Sequence, residues 1–448
     1  MAEKVEFYKE TEFKDTEIGR IPKEWKVVKL EEITTKIKDI DHKMPKKQKI
    51  GIPFVSIKCM LKYPDFNFYL DPNDPDLEFI SKEEYEYHVQ RFDVERGDII
   101  YSRFGSIGNA KLVTTEQPFI ASYSIVLIKP NRHKVNLTFL TYILNSETVR
   151  KQAKIATKGA TNRNLHLKDI KNLRVPLLSL FEQQKIAEIL STVDESIQKT
   201  DELIAKTERL KKGLMQELLT KGIGHKEFKD TKIGKLPEEW EVRTLGEIGE
   251  LSRGLSYRGQ EKFAEEVSGS YLFLTLNSIK EGGGLKENGW SWIRTDRLGE
   301  RHFVREGDIV IANTEQSKDG SLIGSPAIVH FPEWYKKDKA VYSHHISKLT
   351  LKVGSLDINF FYYYLCSTQP IARKYYTVTG VWGLKVDSWA KDLDVIIPPL
   401  SEQQQIASIL LAIDERLDIL RKERVKLERI KQWFMEELLS GKIRVRVA

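Results

Sequence analysis

The segment Phe13-Lys-Asp-Thr-Glu-Ile-Gly-Arg-Ile-Pro-Lys-Glu-Trp25 returns 215 positions later as Phe228-Lys-Asp-Thr-Lys-Ile-Gly-Lys-Leu-Pro-Glu-Glu-Trp240. Extended to Ile33 and Ile248, 13 of 21 positions are identical. Val94-Glu-Arg-Gly-Asp-Ile-Ile100 returns as Val304-Arg-Glu-Gly-Asp-Ile-Val310 at an offset of 210. Glu182-Gln-Gln-Lys-Ile-Ala-Glu-Ile-Leu190 returns as Glu402-Gln-Gln-Gln-Ile-Ala-Ser-Ile-Leu410 at 220, in a block matching at 18 of 42 positions through Ile223 and Ile443. Three repeats in one order at nearly one offset mean tandem duplication. The 448 residues, too many for a single core, therefore divide into two like units. Between the matched blocks the halves diverge, so the architecture is shared and much of each surface is private.

Each half opens on a Trp-containing lead-in and continues into a strand-rich region. In the first half Ser81-Lys-Glu-Glu84 reads as a capping box opening a short helix. Strands are expected at Ile99–Ser102, Lys111–Thr114 and Ser122–Lys129, with a Gly105/Gly108 loop after the first. Asn136 caps a helix expected to reach about Ile155. The second half predicts strands at Asp308–Asn313, Ala327–Phe331 and Val341–Lys352, and a polar loop over Thr314–Ser325. Asp357 caps a helix that Pro370 should interrupt. The fold class is α/β (α+β), with four consecutive blocks: a first domain over 1–178, a helical region over 179–222, a second domain over 223–398, and a second helical region with a basic tail over 399–448.

Glu182–Leu219 carries an apolar stripe at Ile186, Leu190, Val193, Ile197, Ile204, Leu210 and Leu214. Glu402–Leu439 carries one at Ile406, Leu410, Ile413, Leu417, Leu420, Leu427 and Ile430. Spacings of three, four and seven describe one face of a helix. At about 57 Å each, such helices want a partner like themselves, and an antiparallel coiled coil between them is expected. The alternative packs each helix on its own domain.

The net charge is +7, from 72 Lys and Arg against 65 Asp and Glu. Glu182–Leu219 holds six basic and eight acidic residues, and Glu402–Leu439 seven and eight. The surplus therefore lies off the helices. Lys36, Lys38, Lys43, Lys46, Lys47 and Lys49 crowd around Pro45, as suits contact with phosphates; a solvated loop is the alternative. Ser102, Arg103, Ser106 and Asn109 sit in the first Gly-bent loop, and Asn313, Thr314, Gln316, Lys318 and Ser321 in its counterpart. Arg pairs with guanine and Asn or Gln with adenine through two parallel hydrogen bonds, so these loops are candidate readers of base edges. Lys158, Thr161, Asn162, Arg163 and Asn164, before the first domain's exit, join them, as do Trp382 and Lys385 before the second. Arg253, Tyr257 and Arg258 complete the candidate set. For any one of these residues an ordinary polar turn is the competing reading.

Several classes are excluded. No run of about 18 apolar residues suggests a membrane span, and the charged N-terminus is unlike a signal peptide. Cys59 and Cys366 alone support neither a disulfide framework nor a cysteine-based zinc site, so a reducing cytoplasm is expected. There is no Gly-x4-Gly-Lys-Ser/Thr loop, no His-Glu-x-x-His, no Gly-x-Ser-x-Gly and no Asn/Asp-Pro-Pro-Tyr/Phe tetrapeptide. His344-His345 falls in a predicted strand, where adjacent side chains point to opposite faces. No catalytic residue, metal site or cofactor site is assigned.

Taken in order and in duplicate, certain segments resemble the DNA specificity subunit of type I restriction–modification systems. They are Ile18–Trp25 and Ile233–Trp240, the Arg-Gly-Asp-Ile-Ile-Tyr-Ser-Arg-Phe-Gly-Ser-Ile-Gly run at 96–108, and the exits Pro176-Leu-Leu-Ser-Leu-Phe-Glu-Gln-Gln and Pro398-Pro-Leu-Ser-Glu-Gln-Gln. The closings at Met215-Gln-Glu-Leu-Leu and Met435-Glu-Glu-Leu-Leu fit as well. The resemblance implies two target-recognition domains with small twisted sheets, pseudo-two-fold symmetry and a bipartite target in double-stranded DNA. It also implies two methyltransferase subunits that bind S-adenosylmethionine themselves, and motor/nuclease subunits that join for restriction. The helix pair would then be a ruler between half-sites. Competing readings are a targeting subunit for a fused restriction–methylation polypeptide, and a coiled-coil scaffold without nucleic acid. Asn313, where the first half has Arg103, departs from a simple carry-over of roles.

Overall fold

A computed structural model describes residues 5–40, 44–62, 66–71, 74–157, 164–315, 320–352, 354, 356–378 and 382–447. It divides into two compact units, Met1–Glu202 with Arg421–Ala448, and Leu203–Leu420. The four consecutive blocks read along the chain are thus regrouped, because each unit takes half of each long helix.

In the first unit, strands run in the order Thr34–Lys38, Ile125–Pro130, Ile99–Ser102, Ala110–Val113 and Asn67–Phe68. A smaller sheet runs Ile120–Ala121, Ile52–Val55, Glu78–Ile80 and Lys47–Gln48. Ile99, Ile100, Val126, Leu127 and Ile128 are all fully buried, since this sheet is covered on both faces. The second unit repeats the plan with Gly249–Arg253, Ile346–Leu351, Ile309–Ala312 and Pro326–Ile328. In both units the strand after the lead-in Trp pairs antiparallel with the strand before the long helix. These are Lys26–Lys29 with Arg174–Leu177, and Glu241–Thr244 with Asp394–Ile397.

Four local expectations are corrected, the first being that the strand expected from Ser122 begins only at Ile125, after a turn. The helix after Asn136 breaks into Leu137–Asn145 and Glu147–Ala156, because Ser146 is extended and its hydroxyl caps the second piece by accepting from the Val149 amide. Ile358–Ala372 continues through Pro370. Proline there falls in the last turn, and the buried Phe360, Phe361, Tyr363, Tyr364 and Leu365 hold the helix regardless. The run expected as one strand from Val341 is two, Lys339–Tyr342 and Ile346–Leu351, with His344 and His345 in the turn between them.

The long helices span Leu180–Lys221 and Leu400–Leu439. In the first unit, Lys431 Nζ meets Asp194 Oδ1 at 2.6 Å, while Arg424 pairs with Asp201. In the second, Lys211 Nζ meets Asp414 Oδ1 at 2.6 Å, while the Ile223 amide donates to Glu402 Oε1 at 2.8 Å. In each unit one helix's numbering rises as the other's falls, so the pairing is antiparallel. Ile186, Leu190, Ile406, Leu410, Leu417 and Leu420 are buried, and Val193, Ile197, Ile204, Leu214, Ile413 and Leu427 are half-buried. Leu210 and Ile430, equivalent in the repeat, are instead 56% and 43% exposed. A 3.6-residue helix drifts off a seven-residue stripe, and the next residues, Lys211 and Lys431, carry the charged contacts.

The helix ends also belong to the domain cores. Ile186, Leu190 and Leu438 pack with Trp25 and Phe139, and Ile406, Leu410 and Leu218 with Trp240 and Phe360. The repeated Glu-Gln-Gln explains the junction. Trp25 Nε1 donates to Glu182 Oε2 at 3.2 Å, and Trp240 Nε1 to Glu402 Oε2 at 2.9 Å. Gln183 Oε1 accepts from the Asn136 amide and Gln403 Oε1 from the Asp357 amide, both at 2.8 Å. The tail is part of this machinery in the first unit: Ile443–Val447 pairs antiparallel with Val5–Lys9.

Candidate nucleic-acid interface

Three loops meet in each unit, and one residue lies at the centre. In the first unit that residue is Arg103. Its amide donates to Ser124 O at 2.9 Å, and its carbonyl accepts from the Leu165 amide at 2.8 Å. In the second unit it is Asn313, whose amide donates to His345 O at 2.8 Å and whose carbonyl accepts from the Leu384 amide at 2.7 Å. The same node thus joins the Gly-bent loop, a turn between two strands, and the loop before the domain exit.

The turn is also common to both. The Ile125 amide donates to Ser122 O, and the Ile346 amide to Ser343 O, each at 2.9 Å. These Ser-x-x-Ile turns present Tyr123-Ser124 in one unit and His344-His345 in the other. They escape notice in the sequence because neither contains Gly or Pro. The recurring Ser-x-x-Ile in register is the signal that marks them.

At the node, side-chain chemistry diverges. Arg103 is 4% exposed, with its guanidinium against Asp39 and its Nε donating to Asn164 Oδ1 at 3.3 Å. An arginine read from sequence as a candidate DNA contact is turned inward, where a buried carboxylate holds it. Asn313 is buried as well, its Nδ2 donating to Ser347 Oγ at 2.8 Å. Ser102 is fully buried and fastens its loop: its Oγ donates to Ser106 O at 2.6 Å and accepts from the Asn109 amide at 2.9 Å. Ser321 is buried and donates to Glu315 Oε1 at 3.4 Å. These four residues shape the loops from beneath.

Other candidates reach the surface. Ser106, Lys46, Lys47, Lys49, Arg253, Arg258 and Lys385 are exposed, and Asn109, Asn164, Tyr257 and Thr314 are half-buried. Lys47 pairs with Glu78 at 2.8 Å. Arg150 donates to Asn109 Oδ1 at 3.3 Å. Thr314 Oγ1 lies 2.7 Å from His345 Nδ1, and Tyr257 packs edge-on against Phe273 with ring centres 4.9 Å apart. Trp382 enters by its backbone, in a strand paired with Thr314–Glu315. Lys43, Lys158, Thr161, Asn162, Arg163, Gln316 and Lys318 lie outside the described residues. Among the described residues no helix is long and apolar enough to cross a membrane.

The type I restriction modification DNA specificity domain matches residues 22–209 and again 237–429. The chain therefore belongs to the type I restriction–modification specificity subunits, the target-recognition components of those systems. Among relatives, the type I restriction enzyme MjaVIII specificity subunit of Methanocaldococcus jannaschii is 27% identical, covering 99% of this chain and 98% of its own length. The MjaIX specificity subunit of the same organism is 23% identical, covering 98% of each. In fold, the chain is similar to one solved in a study of complex assembly and conformational transition of the type I system (TM-score 0.56, 17% identity, 94% and 99% covered). It is also similar to the type I S subunit from M. genitalium (TM-score 0.52, 16% identity, 92% and 96% covered).

Proposed function

We propose that each unit reads one half of a bipartite sequence in double-stranded DNA, and that the chain directs two methyltransferase subunits without doing chemistry itself. S-adenosylmethionine is held by those subunits, and this chain takes no cofactor. Restriction subunits join the same assembly to cleave. The observation that carries this reading is the node at Arg103 and Asn313: one backbone frame, built twice and filled with different side chains. That is what two readers of different sequences require. The surface cations Lys46, Lys47, Lys49, Arg253 and Arg258 supply phosphate contact, and residues of the turns and Gly-bent loops supply base contact.

Methylome sequencing of the host tests the reading. A motif of two defined half-sites around a fixed unspecified gap is expected. Methylation at one continuous motif, or none that depends on this chain, overturns it. A scaffold without a nucleic-acid role predicts no salt-sensitive DNA binding, whereas affinity falling steeply with salt is expected here.

A further inference from the structure

We infer that the adjacent imidazoles of His344 and His345 are specificity-determining contacts of the second unit, with His344 presenting a hydrogen-bond acceptor to an amino group of adenine or cytosine. The inference rests on the DNA-reading function proposed above and assigns it to particular atoms. The two rings lie with centres 3.9 Å apart at an angle of 38°. They occupy the central positions of the Ser343–Ile346 turn, whose backbone frame matches the Ser122–Ile125 turn of the other unit. Both residues are half-buried, on a turn joined to Asn313 by the backbone bond from the Asn313 amide.

The hydrogen bonds fix what His344 offers. Its Nδ1 lies 3.3 Å from Leu255 O, and a carbonyl can only accept, so Nδ1 carries the proton. In the neutral ring Nε2 then holds a lone pair. No hydrogen bond to His344 Nε2 is found among the described residues. In the major groove the groups that donate to such an acceptor are adenine N6 and cytosine N4. His345 is constrained differently. Thr314 Oγ1 at 2.7 Å from its Nδ1 can donate or accept, so its Nε2 adapts to either type of base edge. Burial and the neighbouring imidazole favour the uncharged form of His345. On the segment bridged to this turn through Leu255 and Ser343, the Tyr257 ring centre lies 6.0 Å from that of His344, and Arg253 and Arg258 are exposed on the same segment. Tyr123 and Ser124 occupy the same two positions in the first unit, so the frame accepts different contents without changing its backbone bonds.

The test uses the full chain assembled with its methyltransferase subunits on a DNA library randomised in both half-sites. With His344→Ala, preference should fall roughly ten-fold at one position of the second half-site, where the unaltered complex requires adenine or cytosine on one strand. First-half-site preference should be unchanged. His344→Gln, whose amide can also accept, should retain part of the preference. Its thermal unfolding, matched to the unaltered protein, guards against simple misfolding. If the His344→Ala/His345→Ala double variant folds and methylates the unaltered motif with unaltered preference, this assignment is wrong while the reading function stands. If the unaltered complex itself shows no sequence preference, the reading function is wrong and this assignment falls with it.

Discussion

Glu182 and Arg444, 262 residues apart in sequence, are joined by two hydrogen bonds, at 2.9 Å from Arg444 Nε and 3.0 Å from Nη2. Arg444 Nη1 also reaches Glu10 at 2.8 Å and Glu24 at 2.9 Å. With Trp25 on the same carboxylate, this cluster closes the first unit's junction between lead-in, long helix and tail. The basic tail read from sequence as surplus charge is therefore partly spoken for. Arg444→Met should lower stability by about 3 kcal/mol, because it leaves the buried Glu182 without its cationic partner. Arg446→Met, at an exposed pair with Glu6, should change it by less than about 1 kcal/mol. Denaturant unfolding of the two variants, side by side, checks the contrast.

The same cluster gives a pH dependence. The hydrogen bond from Arg444, with the backbone amides of Glu12 and Thr11, holds the Glu10 carboxyl below its ordinary value of 4.5. A carboxyl whose pKa is depressed on folding contributes stability above its unfolded value and loses it as pH falls through the folded one. Melting temperature should therefore decline as pH drops below about 4.5. Arg444→Met should decline less steeply, starting from a lower value. Parallel slopes for the two proteins would remove Glu10 from the account.

Tyr142 and Tyr363 tie equivalent domain helices to the long helices. Each hydroxyl donates to an aspartate at 2.7 Å, Tyr142 to Asp194 and Tyr363 to Asp414. Burial, with the adjacent carboxylate, holds both phenols above their ordinary range. Tyr142→Phe and Tyr363→Phe should each cost about 1 kcal/mol. A double-mutant cycle between Tyr142→Phe and Lys431→Met should show coupling, because both partners act on Asp194.

Arg103 now supports a loop from within. Arg103→Ala should destabilise the first unit by about 3 kcal/mol, leaving Asp39 buried beside an empty space. Arg103→Gln combined with Asp39→Asn should recover much of that stability. If Arg103→Ala lost first-half-site preference at unchanged stability, the residue would be a direct contact after all.

Lys46→Ala with Lys49→Ala should weaken DNA binding about equally for cognate and unrelated sequences and reduce the salt slope by about two. A change in half-site preference with an unchanged salt slope would make these residues base readers. Binding measured at several salt concentrations separates the two.

What the sequence disclosed was governed by whether the partner of a residue lay in the same repeat block. The lead-in Trp, the Glu-Gln-Gln helix starts and the long apolar-striped helix all recur, so duplication exposed them. Arg103 looked like a surface reader because Asp39, 64 residues upstream, gives no sign in sequence that it will be buried beside it. His344 and His345 read as strand because Val341–Lys352 is rich in residues that favour strands, and only the Ser343–Ile346 backbone bond cuts it in two. Leu210 and Ile430 matched the heptad spacing, but helical drift decides which way the stripe faces at that point.

The division of the chain also dictates an order of completion. The second unit is one continuous stretch, Leu203–Leu420, whereas the first needs Arg421–Ala448 as well as everything up to Glu202. During synthesis, the second unit has all its residues before the first does. The strand Val5–Lys9, made before the second unit, waits for Ile443–Val447, made after it. A chain released from the ribosome as far as residue 420 would hold every residue of the second unit while the first still lacked Arg421 onward.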